Sequence, residues 1–270
     1  MADFLKLTLG ITMEAGLRYL IFAGAGWVLG YMWFKRRWFS RKIVAHFPER
    51  SQAYREALYS ARSVLIFAVV GALTVLAIRR GWTQMPRNLD NQTWNWFFAS
   101  VAINIAIHDT YFYWTHRLMH HRWLYKWFHQ THHLSTNPTP WAAYAFSPLE
   151  AVVQAGIFPL IAFTVPIHPL SFVVFMFWQI LFNVIGHTGY EFYPSWLVDS
   201  WLGKFLNTPT AHILHHESFR DNYGIYFNVW DRLMGTNHER YSERFREVTT
   251  RSKRNDPLNA SKPVEVLSAE

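Results

Sequence analysis

His116 and His120 in the run H-R-L-M-H, His129, His132 and His133 in H-Q-T-H-H, and His212, His215 and His216 in H-I-L-H-H form three tight groups, with His187 between the second and third. Residues three and four apart share one face of a helix, so each run aims two or three imidazoles at a common point. A tetrahedral zinc takes four ligands and a facial-triad iron takes three, so these nine imidazoles suit two metals with open positions. The expected centre is dinuclear.

An isolated histidine is ordinarily a satisfied or exposed side chain, and His46, His168 and His238 are read that way. His121 follows His120 directly and points about 100° away around a helix, so it is left out of the site. Seven of the fourteen histidines fall within 108–133 and four more within 187–216, a concentration that a dispersed surface population would not give.

The elements that must position these groups are membrane helices. The chain has 270 residues, 51% of them hydrophobic and 18% aromatic, yet its mean hydropathy is near zero. It therefore divides into embedded and polar halves. The fold class is all-α: helical hairpins with about four to five spans near 17–34, 63–80, 93–114, 151–167 and 170–186, and a cytosolic helical cap over 115–150 and 187–247. Residues 248–270 are mostly polar and are expected to be disordered, which leaves a single domain over 1–247. Trp27, Trp33, Trp82, Trp94, Trp96 and Trp178 lie in or beside the apolar runs, where indole rings anchor at the lipid–water boundary. Pro138, Pro140 and Pro148 mark a loop between the second histidine group and the last pair of spans.

The run at 17–34 is long for a signal-peptide core, and Lys35, Arg36 and Arg37 follow it instead of a small-residue cleavage site, so it is expected to stay as a membrane helix. Gly24, Gly26 and Gly30 loosely imitate a dinucleotide loop, but inside an apolar span they read as close helix packing through Gly26 and Gly30. With no cysteine in the chain, disulfides, thiolate ligands, iron–sulfur clusters and cysteine nucleophiles are excluded, and any metal sits on nitrogen and oxygen.

The net charge of +8 could suggest nucleic acid, but eight Lys or Arg lie at 35–62, directly after a span. The positive-inside rule accounts for them better: this segment faces the cytoplasm and the amino terminus faces outward. The third span then delivers His116 to the cytoplasmic side, and the last hairpin returns His187 there. The protein is expected in a bacterial inner membrane, or in the endoplasmic reticulum membrane if the source is eukaryotic. No nucleic-acid partner is expected.

Neutral imidazoles around two metals beside membrane spans point to O2 activation by non-haem iron acting on a lipid. Unactivated C–H bonds offer acid–base or nucleophilic side chains little purchase, so hydrogen abstraction falls to the metal centre. Hydroxylation and desaturation both stay open. The chain carries no flavin, haem or nicotinamide motif, so electrons must come from a separate donor.

The runs H-D-T-Y-F-Y-W-T-H-R-L-M-H from His108, H-Q-T-H-H-L-S-T-N-P-T-P from His129, N-V-I-G-H-T-G-Y-E from Asn183, H-I-L-H-H from His212 and N-Y-G-I-Y-F-N-V-W-D-R-L-M-G-T from Asn222 together resemble the sterol desaturase and fatty acid hydroxylase superfamily. The resemblance spans about 90–240. It implies hairpins under a cytosolic cap, two iron ions (zinc as a substitute in purified protein), O2, a lipid substrate that is sterol-like or fatty-acyl, and a ferredoxin or cytochrome b5-type donor with its reductase. It implies as ligands the same nine residues, His116, His120, His129, His132, His133, His187, His212, His215 and His216. Some relatives place a further histidine four residues before the one matching His187, where this chain has Asn183, which would reach a metal through a water.

His108 lies eight residues before His116, off its helical face, and is expected to hydrogen-bond with nearby polar groups. Asp109, Glu150 and Glu191 are close enough in sequence to orient imidazoles through their second nitrogens, or else to serve helix ends. Two other functions use similar residues. A membrane metal transporter would place its ligands near the bilayer midplane, and a di-zinc lipid hydrolase would need a carboxylate base and fewer imidazoles.

Overall fold

Apolar runs with few breakers become helices here, and the helices carry the site. The computed structural model describes residues 1–89 and 92–251. Among these there is no β-strand, only isolated bridges joining Lys42 to Tyr190 and Leu206 to Phe227.

Helix α1 runs Ala2–Trp27 and continues in π-helical form over Val28–Trp33. It begins well before the apolar run at 17–34. Leu5, Leu9, Met13 and Leu17 keep an exposed i, i+4 stripe through a segment that Asp3, Lys6 and Glu14 interrupt with charge. Helix α2, Arg50–Arg79, packs along α1, and the buried Ala15, Tyr19, Ala23, Val64 and Phe67 form their seam. Gly26 and Gly30 do serve packing: a Cβ on Gly26 would stand 3.1 Å from Pro140, and one on Gly30 3.0 Å from the Tyr190 ring.

Helix α3, Trp94–Met119, starts at Thr93, whose hydroxyl accepts from the Trp96 N–H. After the single turn α4, Tyr125–Phe128, short 3-10 turns cover His132–Leu134 and Pro140–Tyr144, the latter inside the proline-marked loop. The apolar stretch expected as one span at 151–167 is divided into α5, Pro148–Ala155, and α6, Ile157–Thr164. The break falls at Gly156, where a Cβ would strike the Tyr111 hydroxyl, and Pro159 removes an N–H that a continuous helix needs. Helix α7, Pro169–His187, packs on α3 and ends on a candidate ligand. His168, set aside in the sequence, caps α7 by accepting from the Leu170 N–H at 3.2 Å.

Among the described residues α2 and α7 are long and apolar enough to cross a membrane. Trp33, Trp82 and Trp94 are exposed at helix ends, as boundary anchors would be, whereas Trp27 stacks on Tyr31 at 4.7 Å.

The remaining chain forms helices α8, Pro209–Ser218, α9, Val229–Leu233, and α10, Tyr241–Thr250. Leu197, Ala211, Leu214, Tyr241 and Phe245 make its core. Helix α10 passes the boundary expected at 247, because Val248 is sealed against Ile43 and Ile213. The expected tail from 252 to 270 lies outside the described residues.

Candidate metal centre

Helix α8 is set by its first turn. Thr208 caps it by accepting from the Ala211 N–H, Pro209 occupies a position whose N–H is not needed, and Glu191 accepts from the N–H and hydroxyl of Thr210 at 3.0 and 2.7 Å. Glu191 also accepts from the Tyr193 N–H at 2.9 Å. Its role is therefore at a helix start, and it contacts no imidazole. From that start α8 aims His212, His215 and His216 at the ends of α3 and α7.

All nine histidines meet there, in two adjacent sets that cut across the sequence groups. His116, His120, His129, His133 and His215 form one, and His132, His187, His212 and His216 the other; within each, the candidate donor atoms all lie within 4.8 Å of one another. The H-Q-T-H-H turn divides between them, as does α8, and the rings of His133 and His216 touch across the boundary with centroids 4.8 Å apart.

The inward atoms are Nε2 nitrogens. In the first set His116 faces His129 at 2.9 Å, and His215 faces His120 and His133 at 3.2 and 3.1 Å. In the second, His187 faces His132 and His212 at 3.2 and 3.0 Å, and His212 faces His216 at 3.2 Å. Several of these rings are committed as acceptors by their outer nitrogens. Nδ1–H donates to the carbonyl of Tyr223 from His116 at 2.8 Å, of Asn183 from His187 at 2.7 Å and of Asp221 from His215 at 2.6 Å. In a neutral imidazole this leaves a bare lone pair on Nε2. Converging lone pairs repel unless a cation lies among them.

The residues present fit such a cation. At a bond length of about 2.1 Å, N···N edges near 3 Å correspond to N–metal–N angles of roughly 90–100°, tighter than a tetrahedron. Five donors in one set and four in the other suit ions of higher coordination number with positions left open. Burial, helped by neighbouring imidazoles, holds His129, His132, His133, His215 and His216 well below the usual histidine range and brings His116 down to about 4. The rings are thus neutral and ready to ligate at pH 7.

The other residues singled out by sequence lie around this centre. Glu150, fixed by the Ser147 cap of α5, places Oε1 2.6 Å from Nδ1 of His129, and burial raises its carboxyl well above the ordinary range. Asp109 accepts from the N–H groups of Tyr226 and Phe227 at 3.0 and 3.1 Å and so anchors the 222–236 motif; it does not orient a ring. His108 stands outside both sets, with Nδ1 2.8 Å from the Tyr226 hydroxyl. Asn183 lies one helical turn before His187, and its carbonyl holds that ring. His46, His121, His168 and His238 belong to neither set.

Sequence reasoning missed Asp231, which gathers the N–H groups of Tyr223 and Gly224 and the Thr236 hydroxyl and thereby fixes the carbonyl that receives His116. It also missed Glu56 on α2, which together with Gln52 and Ser60 pins the 137–141 segment behind the second histidine group. Gln52 and Glu56, one turn apart in the polar first half of α2, carried no signal that set them apart from the charged residues around them.

A family model described as fatty acid hydroxylase matches residues 101–236, the stretch that holds all nine histidines. The chain is similar to a Delta(7)-sterol 5(6)-desaturase of Gibberella zeae, 31% identical over 244 residues covering 87% of this chain and 70% of that protein. A Delta(7)-sterol 5(6)-desaturase of Aspergillus fumigatus is 32% identical over 73% of this chain and 67% of its own length. The human lathosterol oxidase is 28% identical over 73% of this chain and 66% of its own length. No solved structure matches the chain.

Proposed function

The chain belongs to the fatty acid hydroxylase family and is a membrane oxidoreductase, and from that premise we propose that it uses O2 to hydroxylate or desaturate an unactivated C–H site of a lipid at a di-iron centre. The observation that carries the reading is the convergence of nine imidazoles, eight of them buried and His120 partly so, into two adjacent sets with no carboxylate or thiolate among them. The names of the relatives favour a sterol-like lipid over a fatty-acyl one.

The nine histidines would hold two iron ions, which when bound supply O2 activation and hydrogen abstraction from carbon. The chain's own work is positional. The Tyr223, Asn183 and Asp221 carbonyls fix the orientation and tautomer of His116, His187 and His215, so these Nε2 atoms are presented without a proton, and Glu150 holds the His129 ring in place. Burial keeps water and protons from competing for those nitrogens. Glu150, the carboxyl that a hydrolase would need as its base, has Oε1 engaged by Nδ1 of His129.

On this reading the helices α1, α2, α3, the α5–α6 pair and α7 make four to five spans, the segments 115–150 and 187–247 cap them on the cytoplasmic side, and a ferredoxin or cytochrome b5-type donor delivers electrons there. The experiment is metal analysis of the purified protein beside O2 consumption with added lipid and reductant. Iron with lipid- and reductant-dependent O2 uptake is expected. Lipid hydrolysis without O2 would overturn the reading.

A further inference from the structure

Three cavities adjoin one another in series among the helices. The outermost, about 400 Å³, opens among α1, α2, α6 and α7 and falls in the size range of lipid and cofactor sites. Phe67, Phe158 and Met176 are shared between it and a second cavity of about 20 Å³. Phe112, Asn183 and Ile225 are shared between that one and a third of about 30 Å³, which His187 and His212 border. The series therefore runs from a largely apolar chamber, bordered on α1 by the Glu14–Arg18 ion pair, to the second histidine set, and its inner steps have room for a water or a hydroxyl until a flexible side chain such as Met176 swings aside.

Asn183 stands at the inner junction. It is 6% exposed, and its side-chain amide makes no hydrogen bond among the described residues although it borders both small cavities. An amide that borders a cavity and makes no hydrogen bond within the chain marks a place for a polar guest. No Lys, Arg, Asp or Glu borders either small cavity. A carboxylate or phosphate there would be buried unpaired, whereas a hydroxyl can both donate to and accept from an amide.

We propose that Asn183 binds the hydroxyl of a neutral, sterol-like lipid that enters the series of cavities polar end first, with its hydrocarbon tail left in the outer chamber. Asn183 and His187 are four residues apart on α7, about 6 Å along the axis. The carbons nearest the hydroxyl are then the ones set against the histidine centre. This matches a ring-fused lipid oxidised close to its hydroxyl, as the 5(6) position in the relatives' names indicates. Asn183 is a positioning residue for substrate, and it deepens the lipid-oxidation reading on which it rests.

The test is anaerobic binding to the purified, metal-containing full chain, with a Delta(7)-sterol, its 3-O-methyl ether and a free fatty acid as probes. The hydroxysterol is expected to bind about tenfold more tightly than the ether. Asn183→Leu is expected to erase that ratio while leaving the metal content unchanged, an outcome that neither a structural role nor a water-mediated metal contact would give. Val75→Trp, which fills the outer chamber, is expected to weaken sterol and ether alike and to keep the ratio. Equal binding of sterol and ether by the unmodified protein, a ratio that survives Asn183→Leu, or no effect of Val75→Trp would each overturn the proposal. Discrimination without any lipid oxidation would instead overturn only the oxidase reading, and oxidation without discrimination only this one.

Discussion

Nδ1 of His129 stands 2.6 Å from Oε1 of Glu150, and both side chains are sealed from solvent. A ring held this way cannot rotate its Nε2 away from the first set, and removal of the carboxylate would leave a buried N–H unpaired. Glu150→Leu is expected to weaken metal retention about 10- to 100-fold in chelator competition, whereas Glu150→Gln, which still offers a carbonyl oxygen, should lose much less. Retention by Glu150→Leu equal to that of the unmodified protein would show that the contact does no orienting.

Glu191 works one step further out. Its three hydrogen bonds hold the first turn of α8 against the 191–193 segment, and α8 supplies donors to both sets. Glu191→Ala should therefore lower unfolding stability by roughly 2–3 kcal/mol and reduce bound metal in both sets together. The exposed Glu239→Ala is the control that should change neither. Loss of metal from one set alone would contradict the shared-helix argument.

These two carboxylates also show where the sequence was legible. The three histidine groups stood out by spacing, and on α3 and α8 steps of three and four residues do share a helical face, whereas H-Q-T-H-H reaches the centre from a turn and His187 stands alone in its segment. The division into sets could not be read from spacing: His132 and His133 are neighbours in the chain but serve different sets, which depends on how a 3-10 turn meets α8. The ring partners were largely invisible because Tyr223, Asn183 and Asp221 act through backbone carbonyls, which carry no residue signature. Hydropathy found the apolar runs but not their ends. Charged residues of α1 masked its stripe, and a single glycine with a following proline divided α5 from α6.

Lys42, counted in the sequence among the basic residues expected on the cytoplasmic side, is fully buried between the Tyr31 and Tyr190 rings, with Nζ donating to Asn137 Oδ1 at 3.1 Å. Burial brings its pKa from 10.5 down to about 7. Between those values the unfolded chain binds more protons than the native one, so stability must rise with pH across that window. Unfolding measured from pH 7 to 9 should show a gain of about 1 kcal/mol per pH unit, and Lys42→Met should flatten it. A flat profile in the unmodified protein would mean that the ammonium is solvated.

The unequal donor counts make a last distinction between the two sets. Removing His215 leaves four histidines in the first set, still enough to retain an ion, whereas removing His132 leaves three in the second. Both His132→Ala and His215→Ala should abolish lipid oxidation, because each disturbs one half of a paired centre. They should differ in metal content: His132→Ala is expected to fall toward one metal per chain during chelator dialysis, while His215→Ala holds closer to two. His238→Ala, outside both sets, should keep metal and activity alike. Identical metal loss from His132→Ala and His215→Ala would indicate that the nine imidazoles act as one pool, and the division into sets would then have no thermodynamic meaning.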